Sequence, residues 1–330
     1  DCWKKVDLMG DKGPRRGSIA YWHRKRSARL VPRMRSWSFT GKGLQGFLGY
    51  KAGRGQVLMM EDSDSPLKNQ EVTKPVTVLE TPPIFVYAIT AYKNTDQGLK
   101  KFAEIPTMNS PKELTRTLTV AKKSKMKVEE LHNHSLADVR VIICTQPWKI
   151  GLKKTPEVAE IAITGKDAGE KLSYAKEILG KELKISDVFA DGEVLDTVAI
   201  TKGKGMQGIV KRFGVALGPH KATQRRRRGG SIGPETQGKV MYTIPRAGQM
   251  GYFRRTDSNK RILKIADVTK AKEVTPAGGF EEYGTLKSDY IVIEGSLPGP
   301  QKRVILLRRN YGKLPTKKAD VRQLLFNSAK

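Results

Sequence analysis

Between Lys211 and Lys239 the chain carries almost no apolar periodicity, and that one stretch most limits what it can become. Hydrophobic residues recurring at the strand or helix period give an element a face to bury. Here Gly, Arg and Lys dominate, with Arg225, Arg226, Arg227 and Arg228 in an unbroken run. Such a segment cannot build a core from its own side chains, so its order has to come from something outside the chain.

The charge is segregated in the same way. Residues 1–54 hold 14 basic and 3 acidic side chains, and residues 202–264 hold 16 and 2. Residues 55–201 are near neutral at 20 against 21, while residues 265–330 carry 12 against 7. Two segments thus hold +25 of the net +29 of the 330-residue chain. Charge that only keeps a protein soluble is spread out and mixed in sign. Concentrated positive charge repels itself until a polyanion neutralises it, and nucleic acid or an anionic membrane are the general candidates.

No apolar run approaches the roughly 18–20 residues needed to cross a bilayer. The N-terminal cations are followed by no apolar leader segment, so no membrane partner is expected. Asp1 stands where an initiator Met would, so it is not expected to be the true start. The two cysteines, Cys2 and Cys144, have no partner at zinc-site or disulfide-framework spacing. A reducing cytoplasm is the expected compartment, with no metal and no cofactor.

Along the chain, residues 1–46 read as a basic N-terminal arm in which Tyr21, Trp22, Trp37 and Phe39 lie among cations, a mixture suited to phosphate pairing and stacking on unpaired bases. Short β-prone runs follow at Phe47 to Tyr50, Val57 to Met60, Pro75 to Glu80 and Ile84 to Tyr92, punctuated by Gly and Pro. They suggest the first part, 47–99, of a small barrel. Residues 100–190 read as a neutral α+β insertion. Short helices are expected at Pro111 to Leu118 and Val128 to His132, strands at Val139 to Thr145 and Val158 to Thr164, and a longer amphipathic helix over Ala168 to Leu183. Barrel strands resume over 191–201, at Val194 to Ile200, and over 263–312, at Tyr290 to Ile293 and Arg303 to Leu307, with a further strand at Arg261 to Ile265. Between these two parts lies a basic loop over 202–262. A C-terminal tail over 313–330 is expected to hold a short helix at Ala319 to Phe326.

Motifs that suggest chemistry do not hold up. Gly203-Lys204-Gly205-Met206-Gln207-Gly208 matches G-x-G-x-x-G after a strand, but a dinucleotide site needs a helix opening there and a carboxylate about 20 residues on. The chain instead runs into Phe213-Gly214 and the Arg225 to Arg228 run. These glycines are expected to let backbone amides approach RNA phosphates, with Lys202 and Lys204 adding charge. His132-Asn133-His134 has no third metal ligand in view, and no catalytic constellation can be assigned. An enzyme with a small-molecule substrate is therefore not expected.

A run of ordered motifs carries a resemblance. It includes Thr201 to Val215, Pro245 to Tyr252, Arg255 to Ile262, Pro14 to Ser18, Gly49 to Gly53 and Pro75 to Pro83, with Gly278-Gly279-Phe280, Tyr283-Gly284, Gly295-Ser296, Gly299-Pro300 and Lys302-Arg303. The chain resembles the large-subunit ribosomal protein L-three family in its archaeal or eukaryotic form, and the match is thinnest over 100–190. The resemblance implies a mainly β fold with an α+β insertion, built on a six-stranded translation-factor-like β-barrel with long non-globular basic extensions. It also implies that the arm and the loop run through large-subunit, 23S-type rRNA toward the peptidyl transferase region, that binding supports subunit assembly, and that neighbouring large-subunit proteins are partners. The alternative is a non-ribosomal nucleic-acid architectural protein.

On this reading the rRNA contacts in the arm and first strands are Arg15, Arg16, Arg24, Lys25, Arg26, Arg33, Arg35 and Lys51. In the loop they are Lys202, Lys204, Lys211, Arg212, Lys221, Arg225, Arg226, Arg227, Arg228, Lys239, Arg246, Gln249, Tyr252, Arg254, Arg255, Lys260 and Arg261. The loop's inner part spans Ala216 to Tyr242, and its tip is Gly233-Pro234-Glu235, where many relatives have Trp after the Gly-Pro or Gly-Ala. A carboxylate there replaces an indole able to stack. Phe253 stands for the usual His of Gly-Tyr-His, and Gly53-Arg54-Gly55-Gln56 for the usual Gly-Met-Thr-His.

Overall fold

The computed structural model describes residues 21–34, 36–37, 43–121, 126–222, 225–310 and 318–326. The chain divides into two compact units, residues 29–200 with 254–330, and residues 1–28 with 201–253. Its secondary structure is mainly β. In chain order the strands are β1 (Gly43–Leu44), β2 (Gly46–Met60), β3 (Glu71–Glu80), β4 (Ile84–Thr95), β5 (Gly98–Pro106), β6 (Asp138–Cys144), β7 (Val158–Thr164), β8 (Glu182–Leu183), β9 (Val194–Ile200), β10 (Gly205–Gln207), β11 (Gly248–Met250), β12 (Arg254–Ala266), β13 (Tyr290–Glu294), β14 (Val304–Arg309) and β15 (Val321–Leu325). The α-helices are α1 (Ala168–Ile178), α2 (Ile209–Phe213) and α3 (Ala271–Val274).

The larger unit holds two sheets. In the first, β14 pairs with both β9 and β2, so β14, β9, β12, β13, β3 and β2 hydrogen-bond in a closed circuit, and β15 adds to the distal half of β2. The second sheet runs β1-β7-β6-β4-β5, with β8 pairing β4. The strand at Ile84 to Tyr92, expected in the first part of the barrel, thus belongs to the second sheet, where it lies between β5 and β6. It was read from composition alone, and β-branched and aromatic content does not say which sheet a strand joins.

β2 shows how sequence shapes the circuit. Its first half is continuously buried and its second half alternates, with an irregular register between Lys51 and Gly53. β14 pairs Gly46 to Tyr50 and β15 pairs Gln56 to Met59, so the strand changes neighbour across this irregularity. A β-bulge bends a strand in this way. Gly53 and Gly55 follow the bend because rings lie against their backbone. A Cβ at Gly53 would stand 2.1 Å from the Phe280 ring, and one at Gly55 2.2 Å from the Phe326 ring. Those two rings meet edge to face at 5.7 Å. Gly53→Ala is expected to cost about 1–3 kcal/mol through overpacking. Adding Phe280→Leu should recover part of that loss in a urea melt, and simple additivity of the two substitutions would contradict the packing account.

Three expectations about helices change. Ala319 to Phe326 is not a helix, because Val321–Leu325 pairs antiparallel with β2. Its apolar spacing fits either period, and the open flank of β2 decides for a strand. The long helix stops at Ile178, since Gly180 at φ +76° reverses the chain into β8. The two short helices are 3-10 turns, Lys112–Arg116 and Glu129–Asn133. The strands expected at 139–145, 158–164, 194–200, 290–293 and 303–307 are present within a residue or two, whereas β12 begins at Arg254, well before the expected Arg261.

Most of the core is aliphatic and spans both sheets, joining Phe47, Leu48, Leu79, Val86, Val141, Ile161, Leu195, Val198, Ile291 and Leu306. α1 packs Leu172, Ala175 and Ile178 into the same cluster. A buried polar cluster centred on Asp196 interrupts it. Asp196 on β9 accepts from Arg308 on β14 at 2.5 Å and from Asn310 at 2.7 Å, and Asn310 also reaches Asn259 at 2.6 Å. The Asn259 backbone N–H donates to Asp196 at 3.3 Å, and Asn259 sits at φ +59° where the register of β12 against β9 shifts. Arg308 further donates to the Ser36 carbonyl at 3.0 Å.

Candidate nucleic-acid interface

The smaller unit is built on a short antiparallel hairpin in which Gly205 pairs Met250, Met206 pairs Gln249 and Gln207 pairs Gly248. Its two legs come close at Gly251, where φ is +69° and a Cβ would lie 2.1 Å from the Lys202 carbonyl oxygen. After Gly208 the chain makes the single turn of α2, which Gly214 ends at φ +66°. The G-x-G-x-x-G stretch is therefore one leg of a hairpin followed by a five-residue helix. Every strand pairing among the described residues is antiparallel, so the parallel β-α-β unit of a dinucleotide site is not formed.

Two residues expected as RNA contacts act inside this unit. Arg212 donates through Nε to the Gln249 carbonyl at 3.0 Å and through Nη1 to the Arg246 carbonyl at 2.8 Å, tying α2 to the returning leg. Gln249 donates to the carbonyls of Met250 and Gly251 at 3.2 and 2.9 Å. Burial and the nearby Arg24 guanidinium both lower the Arg212 pKa from its ordinary value. Two cations crowd each other here.

Apart from Arg24, which is half-buried, the other cations among the described residues of this unit face outward. Lys25, Arg26, Lys202, Lys204, Lys211, Lys221, Arg225, Arg226, Arg227, Arg228, Lys239 and Arg246 are all exposed. The Arg26 guanidinium stands 5.0 Å from the centre of the Tyr252 ring, a cation–π distance. Gly233, Pro234 and Glu235 are exposed, and Glu235 opens a 3-10 turn ending at Gly238. Between residues 201 and 253, Glu235 is the only carboxylate against 11 Lys and Arg. Among the described residues Phe213 is the only buried hydrophobic side chain of this unit. By contrast Tyr21, Met206, Leu217, Ile232, Met241 and Tyr242 are large, apolar and exposed.

Other expected contacts lie in the larger unit. Arg33 and Arg254 are exposed, and Arg254 Nη1 donates to the Arg33 carbonyl at 3.1 Å. Arg255 is half-buried. Lys260 pairs with Asp257 at 3.0 Å and Arg261 with Asp62 at 2.7 Å, so both charges have partners within the fold. Trp37, expected to stack on bases, is packed in the main core, as is Met34. Arg15, Arg16, Arg35 and Phe39 lie outside the described residues.

Lys51 departs furthest from expectation. It is buried, and its ammonium donates to the carbonyls of Leu297 at 2.6 Å and Gly299 at 3.0 Å. Its place in the continuously buried first half of β2 puts it inside, whereas in sequence a Lys near Arg54 in a basic segment reads as a surface cation. Burial first, and Arg54 second, lower its pKa from 10.5 to about 8. The unfolded chain therefore holds a proton that the folded one releases between those values, and stability rises as pH climbs through that window. The urea midpoint of the wild type should rise from pH 8 toward pH 10 relative to Lys51→Met, which lacks this increment. Parallel curves for the two proteins would contradict it.

No group of three or more His, Cys, Asp or Glu side chains that could hold a metal occurs among the described residues. No helix there is long and apolar enough to cross a membrane. The described surface is that of a basic, mainly β protein with one unit that is rich in cations and poor in core, the class that associates with nucleic acid. The chain belongs to the ribosomal protein L3 family, whose model matches residues 9–324. It is 50% identical over 308 residues to the large ribosomal subunit protein uL3 of Methanococcus vannielii, covering 91% of this chain and 92% of that one. It is 48% identical to the protein of the same name from Methanopyrus kandleri, covering 89% and 84%. For that of Methanothermobacter thermautotrophicus the identity is 44%, covering 90% and 91%. This is a family of ribosomal proteins, not of enzymes.

Proposed function

We propose that this chain is a structural constituent of the large ribosomal subunit that binds 23S-type rRNA, supports subunit assembly and organises RNA near the peptidyl transferase region. The observation that carries the reading is the smaller unit, where 11 cations between residues 201 and 253 face one carboxylate and Phe213 is the one buried hydrophobic side chain among the described residues. A core of that size does not offset the backbone entropy of ordering the segment. Phosphates that neutralise the cations, and RNA surface that covers the exposed apolar side chains, supply what the chain lacks. Relatives named as large-subunit proteins along nearly the whole chain support the same partner.

In this reading Lys25, Arg26, Lys202, Lys204, Lys211, Lys221, Arg225 to Arg228, Lys239 and Arg246 meet phosphates, and in the larger unit Arg33, Arg254 and Arg255 do so as well. Arg15, Arg16 and Arg35 join it from sequence. The residues around Gly233-Pro234-Glu235 form the tip nearest the peptidyl transferase region. The closed six-strand circuit is read as a barrel like that of translation factors, with the insertion, which begins at β4 and not at residue 100, facing neighbouring subunit proteins.

Centrifugation of tagged chain with purified large subunits lacking their own copy tests the proposal. The chain should travel with the subunit through a gradient at moderate salt and be released as salt is raised. A chain that stays at the top of a low-salt gradient contradicts it, and equal retention on unrelated RNA favours a general nucleic-acid architectural role.

A further inference from the structure

The smaller unit contains a line of flat side chains drawn from two distant parts of the sequence. The Arg24 guanidinium lies 4.6 Å from the centre of the Phe213 ring and 5.5 Å from that of Trp22. Trp22 and Phe213 are 5.8 Å apart, Trp22 and Tyr242 6.2 Å, and His23 and Tyr242 5.5 Å with 34° between their planes. The inner end of this line is buried at Phe213, whereas at the outer end His23 is exposed and Tyr242 is 59% exposed.

Packing accounts for Phe213 and for the half-buried Trp22. It does not account for the outer end, where a tyrosine ring held by two neighbours shows most of its surface to solvent. Held rings with an open face, with the exposed cations Lys25, Arg26 and Lys239 within three residues of them in sequence, have the composition of a stacking platform for a base, since every base has a π-face and its phosphates seek cations. A regular duplex keeps its bases stacked on one another, so only an unpaired base can use such a face.

We propose that Tyr242, backed by Trp22 and His23, is a stacking site for a single unpaired nucleobase. This rests on the RNA-binding reading above and adds the kind of RNA feature that the unit selects. Charge fixes how tightly the unit holds RNA in general. The Tyr242 face fixes a preference for RNA with a base bulged or looped out.

Two hairpin RNAs of equal length test this with the full-length chain, one fully paired and one with a single extra purine replaced by fluorescent 2-aminopurine. The readout is the ratio of the two affinities, which cancels a loss affecting both RNAs alike. The wild type is expected to favour the bulged hairpin by roughly 5- to 150-fold, the range of one base–aromatic stack, and to quench the probe. Tyr242→Phe should retain both effects. Tyr242→Leu, which keeps an apolar side chain against Trp22 but has no flat face, should lose both while leaving the salt dependence unchanged. An equal ratio and equal quenching in wild type and Tyr242→Leu overturns the stacking site while leaving RNA binding intact. Failure of the wild type to bind either hairpin removes the RNA-binding reading itself and the stacking site with it.

Discussion

Asp196→Ala should lower the unfolding free energy by about 3–5 kcal/mol, the cost of removing one member of a buried ion pair and stranding the other. Arg308 would lose its 2.5 Å partner and Asn310 its 2.7 Å acceptor, with Asp196 and Arg308 directly opposite each other on adjacent strands of the closed circuit. Asp196 and Arg308 are only 2% and 7% exposed, so water cannot readily replace what is lost. The loss should also loosen β12 near Asn259, whose left-handed backbone is held by the same carboxylate. Denaturant unfolding measures the first effect and amide exchange at residues 257–262 the second. A loss below about 1 kcal/mol would mean that the cluster behaves like a solvated surface pair. Replacing Arg308 with Met in the same background should then restore stability, because no buried charge is left unpaired.

The other large effect is expected in binding. Changing Arg225, Arg226, Arg227 and Arg228 together to Gln keeps four long polar side chains and removes four charges from an exposed run. Each phosphate contact contributes roughly 0.7–0.9 to the slope of log affinity against log salt. The slope for rRNA should therefore fall by about three, and affinity by roughly two to three orders of magnitude at 0.1 M salt. Unfolding of the larger unit should not change, since the substituted residues belong to the other one. An unaltered slope would show that this run does not touch phosphates. Replacement by Lys should restore most of the slope but less of the affinity, because Lys cannot form the bidentate pair that Arg makes with a phosphate.

The fold was legible where an apolar pattern, alternating or continuous, was strong and local. β6, β7 and β9 could be read directly, because Val139, Val141, Ile143, Ala159, Ile161 and Leu195 to Ile200 carry burial in their own pattern. Pairing was not legible. Ile84 to Tyr92 looks like its predecessors, yet it joins another sheet. Val321 to Leu325 fits helix or strand until the free flank of β2 selects one.

The candidate interface was legible as charge and much less so as geometry. One-sign charge over 202–264 marks the segment, but it does not separate Arg212, which cross-ties the hairpin, from Arg225, which faces outward. It also does not reveal that Lys51 is buried. The ladder from Phe213 to Tyr242 escaped because its members lie on either side of a long intervening sequence. Aromatic residues among cations were the available signal, and that signal pointed equally to Trp37, which is packed in the core.

The strand circuit closes where β14 meets both β2 and β9, and this has a consequence for biosynthesis. Residues 46–50 leave the ribosomal tunnel long before their partners at 304–308, which lie about 250 residues further along the chain. Until then β2 has a bare flank that can recruit strands from other nascent chains. Ribosomes stalled before codon 304 should therefore carry a sticky, chaperone-dependent chain that becomes inert once Leu307 and Arg308 emerge.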